Sequence, residues 1–143
     1  MPFDKVRQRS TILLEDKGRL MLLKMKDPVT EKIHFSLPGG MIEPAESARA
    51  AAIRECHEET GYIPLIISEE LTLDYVYLWA EKRIHCRSFF FRARPLTKVS
   101  PKLNQNEWFI QEAAWVERKR AIALLWYHRL VQQAVTKALN PVN

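Results

Sequence analysis

Gly40-Met-Ile-Glu-Pro-Ala-Glu46, followed seven residues later by Arg54-Glu-Cys-His-Glu-Glu-Thr-Gly-Tyr62, is the stretch that decides the fold. Between Ser47 and Thr60 there is no Gly or Pro, and alanine occurs four times, so this part predicts a helix. Ser47 is a predicted N-cap, and Gly61 stands where helices end. A glycine-rich corner therefore leads directly into one helix.

Three carboxylates share one face of this predicted helix. Glu55, Glu58 and Glu59 are spaced i, i+3 and i+4, which places them within an arc of roughly 100°. Like charges at i and i+4 destabilise a helix, so stability alone does not favour the pattern. A divalent cation removes the repulsion, and Mg²⁺ prefers oxygen ligands of this kind, with Mn²⁺ as an alternative. The competing interpretation is a solvated helix face held by Glu–Arg pairs.

Arg54 has a different predicted role from the three glutamates. It stays protonated, and its position on the helix is roughly 100° from the middle of the carboxylate arc. We therefore expect Arg54 to orient a neighbouring carboxylate, that of Glu46 or Glu55, rather than to bind phosphate.

Residues 40–62 match the pattern G-x5-E-x7-R-E-U-x-E-E-x-G-U without a gap, where U is hydrophobic, and by this pattern the chain resembles the Nudix hydrolases. The preceding Phe35-Ser-Leu-Pro-Gly-Gly40 resembles the lead-in of the same family. The resemblance implies an α/β/α sandwich with a mixed sheet, as one domain over 1–143. It also implies Mg²⁺-dependent hydrolysis of a nucleoside diphosphate linked to another group.

The resemblance implies a set of site residues as well. Glu55, Glu58 and Glu59 would hold the metal, and the main-chain carbonyl of Gly40 would face it. Two glycines at 39 and 40 allow a positive φ and a close approach of the backbone to a ligand. Two departures from the family pattern affect local packing rather than charge. Cys56 stands at a position that is usually aliphatic, and Ala45 at one where many relatives carry glycine.

A further carboxylate is expected outside residues 40–62. Many relatives carry one on a loop before a late strand, as a base or an extra metal ligand, and Glu112 resembles that position. Glu107, beside Trp108, is the alternative. The resemblance gives Arg54, Glu55, Glu58, Glu59 and Glu112 as the catalytic set.

The rest of the chain predicts mainly strands. β-Branched and aromatic residues predict strands over 8–14 and 20–25, and a long hairpin formed by 66–79 and 83–93. A polar loop is predicted over 95–106, a short strand over 112–116, and helix, in one or two segments, over 118–139. This order fits an α/β/α layered domain with a mixed sheet.

Composition limits the function classes. The 143 residues carry a formal net charge of +5 at pH 7, with a pI near 9.4, which suits polyanionic substrates and, more weakly, RNA ends, although dispersed basic residues also form ordinary solvated faces. No P-loop or dinucleotide-binding glycine motif is present. The apolar runs are too short to cross a bilayer and no signal-peptide core stands at the start, so a cytoplasmic location without membrane association is expected.

The leading functional hypothesis is a pyrophosphohydrolase acting on a nucleotide-derived small molecule. The alternatives are removal of pyrophosphate from RNA 5′ ends and a non-catalytic module that binds nucleotides or RNA ends. Substrate-binding residues are not assigned. Four aromatic residues could stack on a base or simply pack, and two arginines could meet phosphates: Tyr75, Tyr77, Trp79 and Trp108, and Arg7 and Arg9. The oligomeric state is open, a homodimer included.

Overall fold

The computed structural model describes residues 6–98 and 109–140 of the chain. Within these residues the chain forms eight strands and three helices. The strands are β1 (Arg7–Asp16), β2 (Arg19–Lys26), β3 (Ile33–Ser36), β4 (Gly39–Met41), β5 (Tyr62–Ile66), β6 (Leu71–Trp79), β7 (Lys82–Lys98) and β8 (Ile110–Glu117). The helices are α1 (Ala48–Thr60), α2 (Arg118–Leu124) and α3 (Arg129–Leu139). None of these helices is long and apolar enough to cross a membrane.

Strands β1 and β7 form the parallel centre of a mixed sheet. Their register runs from Arg7 opposite Cys86 to Leu14 opposite Ala93. The described strands follow the order β3-β2-β1-β7-β5, while β4, β6 and β8 pair with β1, β7 and β2. All of these other pairings are antiparallel. The predicted mixed sheet is confirmed.

Helices cover both faces of the sheet. Consecutive residues of β1 alternate between two apolar clusters, because side chains of a strand point to opposite faces in turn. Ile12 and Leu14 pack with Ala52 and Cys56 of α1. Leu13 lies in the second cluster, to which α2 and α3 contribute Ala121, Val131, Val135 and Leu139. The α/β/α arrangement is therefore confirmed, with the region over 118–139 divided into two helices.

Helix α1 forms where the sequence predicts it. The side chain of Ser47 accepts a hydrogen bond from the backbone N–H of Ala50, and Gly61 ends the helix with a left-handed φ of 81°. The Ser10 hydroxyl of β1 donates to the carbonyl of Ala48, which fixes the first turn of α1 to the sheet. The direction of the carboxylate face is thereby set relative to β1.

The predicted hairpin is wrong in its boundaries. The chain leaves the sheet after Ile66, so β5 and β6 are separate strands that pair with different halves of β7. The loop predicted over 95–106 is also wrong in its first part, since β7 continues to Lys98. Pro95 is accommodated because it lies opposite Pro64, next to a register shift. Strands β3 and β4 were not predicted, and residues 99–106 lie outside the described part of the chain.

One buried carboxylate joins the loop after β2 to the tip of the β6–β7 hairpin. Asp27 is 2% exposed and accepts hydrogen bonds from the N–H groups of Val29 at 2.8 Å, Thr30 at 3.0 Å and Ala80 at 2.8 Å. Burial alone would raise the pKa of Asp27, but these backbone donors outweigh it, and the pKa is lowered. Ala80 and Glu81 form the two-residue turn with φ of 51° and 64°.

We expect Asp27→Ala to lower the free energy of unfolding by roughly 2–4 kcal/mol, because three backbone donors lose their acceptor in a buried place. Asp74→Ala is the matched control, since it removes an exposed pair with Arg87 and should leave the denaturation midpoint almost unchanged. Urea denaturation of both variants at pH 7 measures the difference. Equal midpoints for the two would contradict the role given to Asp27.

Candidate active site

A cavity of about 290 Å³ lies between α1, the sheet and the connection from α2 to α3. The chemical character of the lining residues differs between the elements that contribute them. Acidic and glycine residues come from α1 and β4, basic residues from β1, and aromatic residues mainly from β3 and β6. The lining residues include Gly39, Gly40, Glu55, Glu59, Arg7, Arg9, Tyr75, Tyr77, Trp79, His34, Phe109 and His128. Its size is at the lower end of the range typical of small-molecule sites.

Two of the three predicted metal ligands line this cavity. Glu59 accepts a hydrogen bond from the N–H of Gly39 at 2.8 Å through Oε1. Glu55 is 6% exposed, and its Oε2 is buried without a hydrogen-bond partner among the described residues. Burial raises the pKa of Glu55, and the charge of Glu58 raises it further, while Arg54 acts in the opposite direction. The cavity thus contains a carboxylate oxygen that lacks a donor.

Gly40 is required at its position by the side chain of Glu55. A Cβ on Gly40 would lie 2.6 Å from Oε1 and 2.7 Å from Oε2 of Glu55, and still closer to the carboxyl carbon. The expectation of a positive φ at Gly39 and Gly40 is wrong, because both lie in strand β4 and neither has one. Close approach of a carboxylate, rather than backbone conformation, explains the glycine.

Arg54 makes both of the predicted pairs. Its Nε and Nη2 donate to the two oxygens of Glu46 at 2.8 and 3.0 Å, and its Nη1 donates to Oε1 of Glu55 at 2.8 Å. Nη1 also lies 3.4 Å from Oε2 of Glu58, and Nη2 donates to the carbonyl of Met41 at 3.1 Å. The hydrogen bonds that Arg54 donates to Glu46 and then to Glu55 raise its pKa, although burial lowers it. Arg54 thus ties α1 to the segment that precedes it.

A hard divalent cation requires several oxygen donors around one point. Among residues 6–98 and 109–140 no three His, Cys, Asp or Glu side chains are gathered around one point. Glu58 lies against Arg54 rather than on the cavity wall. The unpartnered Oε2 of Glu55, close to Gly40 and in the same cavity as Glu59, is nevertheless the kind of oxygen that Mg²⁺ and Mn²⁺ take. The chemistry of these residues fits a metal, and Glu58 is not part of a preassembled trio.

Arg9 lies between the acidic residues and the tyrosines of β6. It donates from Nε to the Thr11 hydroxyl at 3.3 Å and from Nη2 to the carbonyl of Leu37 at 3.2 Å. Burial acts to lower the pKa of Arg9, but the neighbouring Tyr75, Glu59 and Tyr77 more than compensate, and the pKa is raised. Arg9 thus remains a cation inside the cavity.

Aromatic rings form another part of the cavity wall. Trp79 and Phe109 meet edge to face with centroids 5.6 Å apart, and Tyr77 and His128 do so at 5.3 Å. Burial, followed by the charges of Arg9 and His34, lowers the pKa of His128 to about 4. Sequence reasoning missed His34, Phe109 and His128, and no spacing in the sequence singles them out.

Glu112 does not lie on a loop, as the resemblance implied. It is an exposed residue within β8, opposite Lys24 of β2, and it does not line the cavity. The pairing of β2 with β8 shifts its register between Lys24 and Met25, directly beside Glu112. The catalytic role of Glu112 stays a prediction, and Glu107 and Trp108 lie outside the described residues.

The two departures from the family pattern have structural explanations. Ala45 has a φ of 63°, in the left-handed region that glycine adopts without strain. Cys56 is fully buried in the core beneath α1, where burial raises the pKa of its thiol to about 12, so it packs as a small apolar group.

Comparison with known proteins identifies the family of this chain. The model of the NUDIX domain matches residues 4–139. A NUDIX hydrolase from Nitrosomonas europaea has a similar structure, with a TM-score of 0.73 and 26% identity over 94% of this chain and 88% of that one. An Ap4A hydrolase of C. elegans, solved as a binary complex, has the same fold at a TM-score of 0.64 and 22% identity, over 92% of this chain and 95% of that one.

Curated relatives match over shorter segments. An ADP-ribose pyrophosphatase of Methanocaldococcus jannaschii is 38% identical over 56 residues, which are 39% of this chain and 32% of that protein. A Bacillus subtilis protein provisionally named as an 8-oxo-dGTP diphosphatase is 45% identical over 51 residues, 36% of this chain and 32% of that protein. The chain thus spans about a third of the length of these curated relatives.

We expect the stability of the protein to depend on pH through His128. Its pKa is 6.5 when exposed and about 4 in the folded chain, where Arg9, His34, Tyr77 and Tyr127 surround it. Between these values only the unfolded chain binds the proton, so the free energy of unfolding falls as the pH falls from 6.5 towards 4, by at most roughly 3 kcal/mol. Above pH 6.5 the effect is absent.

Urea denaturation at pH 7.5 and 4.5, compared between the parent and His128→Phe, measures this dependence. The variant should lose less stability than the parent over this interval, because a phenyl ring takes no proton. The same loss in both proteins would show that His128 does not titrate with a depressed pKa.

Proposed function

This chain belongs to the NUDIX domain family, and from that premise we propose that it is a Mg²⁺-dependent pyrophosphohydrolase. Its proposed substrate is a nucleoside diphosphate linked to another group, such as a nucleoside triphosphate, a nucleotide sugar or a dinucleotide. Mn²⁺ is the proposed substitute for Mg²⁺.

One observation supports the proposal most directly. Oε2 of Glu55, a buried carboxylate oxygen to which no described residue donates a hydrogen bond, shares a cavity with Glu59, Arg7 and Arg9. Carboxylates alone would repel a diphosphate, and arginines alone would bind it without a metal. A cavity with both kinds of group suits a diphosphate that arrives with a divalent cation, since the ion takes carboxylate and phosphate oxygens together.

Glu55, Glu58 and Glu59 would hold the ion with the carbonyl of Gly40. When bound, the ion would neutralise the diphosphate and lower the pKa of a water that attacks phosphorus. The protein contributes positioning. Arg54 holds Glu55, and the N–H of Gly39 fixes one oxygen of Glu59.

The remaining charged residues have proposed roles outside the metal site. Arg9 and Arg7 are placed to receive phosphate oxygens, because their guanidinium groups can donate two hydrogen bonds in one plane. Glu112, which is exposed within β8, is the proposed base.

The names of similar proteins indicate which compounds to assay first. They include an ADP-ribose pyrophosphatase and an Ap4A hydrolase. We propose an assay with Mg²⁺ over ADP-ribose, dinucleoside polyphosphates, nucleoside triphosphates with and without an oxidised base, nucleotide sugars and triphosphorylated RNA, with products identified by mass. Cleavage of none of these compounds would contradict the proposed function, and cleavage of RNA alone would favour the RNA-end alternative.

We expect Glu55→Gln, Glu58→Gln and Glu59→Gln each to reduce kcat by about 10²-fold or more, because each removes a charge that would hold the ion. Glu69→Gln changes an exposed glutamate that does not line the cavity and serves as the matched control. Steady-state kinetics on the best substrate measure the effect. Parental turnover in the Glu58 or Glu59 variant would remove that residue from the metal site, and parental turnover in Glu112→Gln would remove the proposed base.

Gly40→Ala should reduce kcat by about tenfold or more, because the added methyl group displaces the carboxylate of Glu55. Gly18→Ala is the control, since a Cβ on Gly18 meets no atom within 4 Å. Gly18 has a φ of 76°, so this control is expected to lose stability without losing activity. Turnover that is unchanged in Gly40→Ala, in a folded protein, would show that the position of Glu55 does not matter for catalysis.

A further inference from the structure

The aromatic end of the cavity, defined by His34, Trp79, Phe109, Tyr77 and His128, lies outside the set of residues proposed above to hold metal or phosphate. All five residues line the cavity. Trp79 packs against both His34, at 6.4 Å between centroids, and Phe109, at 5.6 Å. A group of rings from separate strands and loops that face a shared space suits a flat aromatic ligand.

His34 is the residue that ordinary packing does not explain. It is 7% exposed, and neither Nδ1 nor Nε2 has a hydrogen-bond partner among the described residues. Its ring stacks on Tyr127 with centroids 3.8 Å apart and an angle of 27° between planes. Stacking on Tyr127 explains the position of the imidazole ring. It provides no hydrogen-bond partner for the two nitrogens, although buried polar atoms are almost always hydrogen-bonded.

The imidazole of His34 is uncharged in this place. Burial lowers the pKa of His34, Asp27 acts in the opposite direction, and Lys32 lowers the pKa further. A neutral imidazole has one N–H donor and one acceptor nitrogen. His34 can therefore donate one hydrogen bond and accept another, as the edge of a nucleobase requires.

The cavity has an order that matches the parts of a nucleotide. In the sheet, β1 with Arg9 lies between β4, whose glycines contact Glu55 and Glu59, and β7 with its neighbour β6, which carries Tyr75 and Tyr77. Tyr75, Tyr77 and Trp79 alternate along β6, which places them on one face over roughly 13 Å. The carboxylates therefore lie on one side of Arg9, and the aromatic side chains of β6 lie on the other.

Resting on the proposed function, we propose that the aromatic end binds the nucleobase of the substrate, packed against Trp79 and Phe109, and that His34 determines base preference by hydrogen bonding to the base edge. Asp27 is the positioning residue for this arrangement. It fixes the loop that leads into β3, which carries His34, to Ala80, the residue after Trp79.

The test uses binding without metal, so it does not depend on hydrolysis. AMP, GMP, CMP and UMP are titrated into the full chain with ¹⁵N-labelled histidine, and the ring nitrogens of the four histidines are followed by NMR. Ribose 5-phosphate is the probe that lacks a base. We expect the preferred monophosphate to shift the His34 nitrogens, and ribose 5-phosphate to leave them in place.

His34→Phe keeps an aromatic ring on Tyr127 and removes both nitrogens. It should weaken binding of the preferred monophosphate about tenfold and bring the four affinities closer together, while the affinity for ribose 5-phosphate stays the same. His85→Phe is the matched control, because His85 lies on β7 outside the cavity. Trp79→Leu tests the stacking wall separately and should weaken all four monophosphates but not ribose 5-phosphate.

Two results would overturn the inference. One is a folded His34→Phe protein with the parental affinities and base preference. The other is a His34 shift that ribose 5-phosphate produces as strongly as the nucleotides do. A chain that hydrolyses nothing but binds one base through His34 would refute the proposed function alone. A chain that hydrolyses nucleotides with base preference unchanged in His34→Phe would refute this inference alone.

Discussion

The ion pair between Arg54 and Glu55 is the interaction on which the site depends. Glu55 is almost fully buried and close against Gly40, so its charge would be strongly unfavourable without the guanidinium 2.8 Å away. The same guanidinium holds both oxygens of Glu46, which precedes α1. One cation therefore fixes the rotation of the helix, the path of the segment before it and the direction of a carboxylate that faces the cavity.

The Arg54–Glu55 ion pair does not neutralise the other carboxylates around Arg54. Glu46, Glu55 and Glu58 all lie within 3.4 Å of Arg54, and Glu59 lines the same cavity. One positive charge against three carboxylates leaves the cluster anionic, which is costly for a partly buried group of side chains. An added divalent cation would offset that charge, whereas further arginine pairing would only cover the oxygens that a metal needs. The structure of the cluster is thus easier to explain by binding than by stability.

The helix and its carboxylates could be predicted from the sequence because both depend on local rules. Ser47 and Gly61 set the limits of α1, and the spacing of Glu55 and Glu59 then fixes their common face. The aromatic end could not be predicted in this way. His34 and Trp79 come from strands far apart in the chain, and their approach depends on a hydrogen bond across 53 residues, from Ala80 to Asp27. The strand position of Glu112 likewise depends on pairing and a register shift, which spacing does not encode.

The two ends of the cavity also influence each other electrostatically. Burial together with the charge of Arg9 lowers the pKa of His128, so the rings next to Arg9 stay uncharged near neutral pH. Were His34 and His128 both cationic, the aromatic end would attract phosphate as strongly as the arginines do, and a nucleotide could bind in either direction. With both histidines neutral, Arg7 and Arg9 are the cationic residues among the described lining, and they share the cavity with Glu55 and Glu59, which favours one orientation. Under the proposed function, the neutral histidines therefore matter for where the diphosphate lies as well as for what the base contacts.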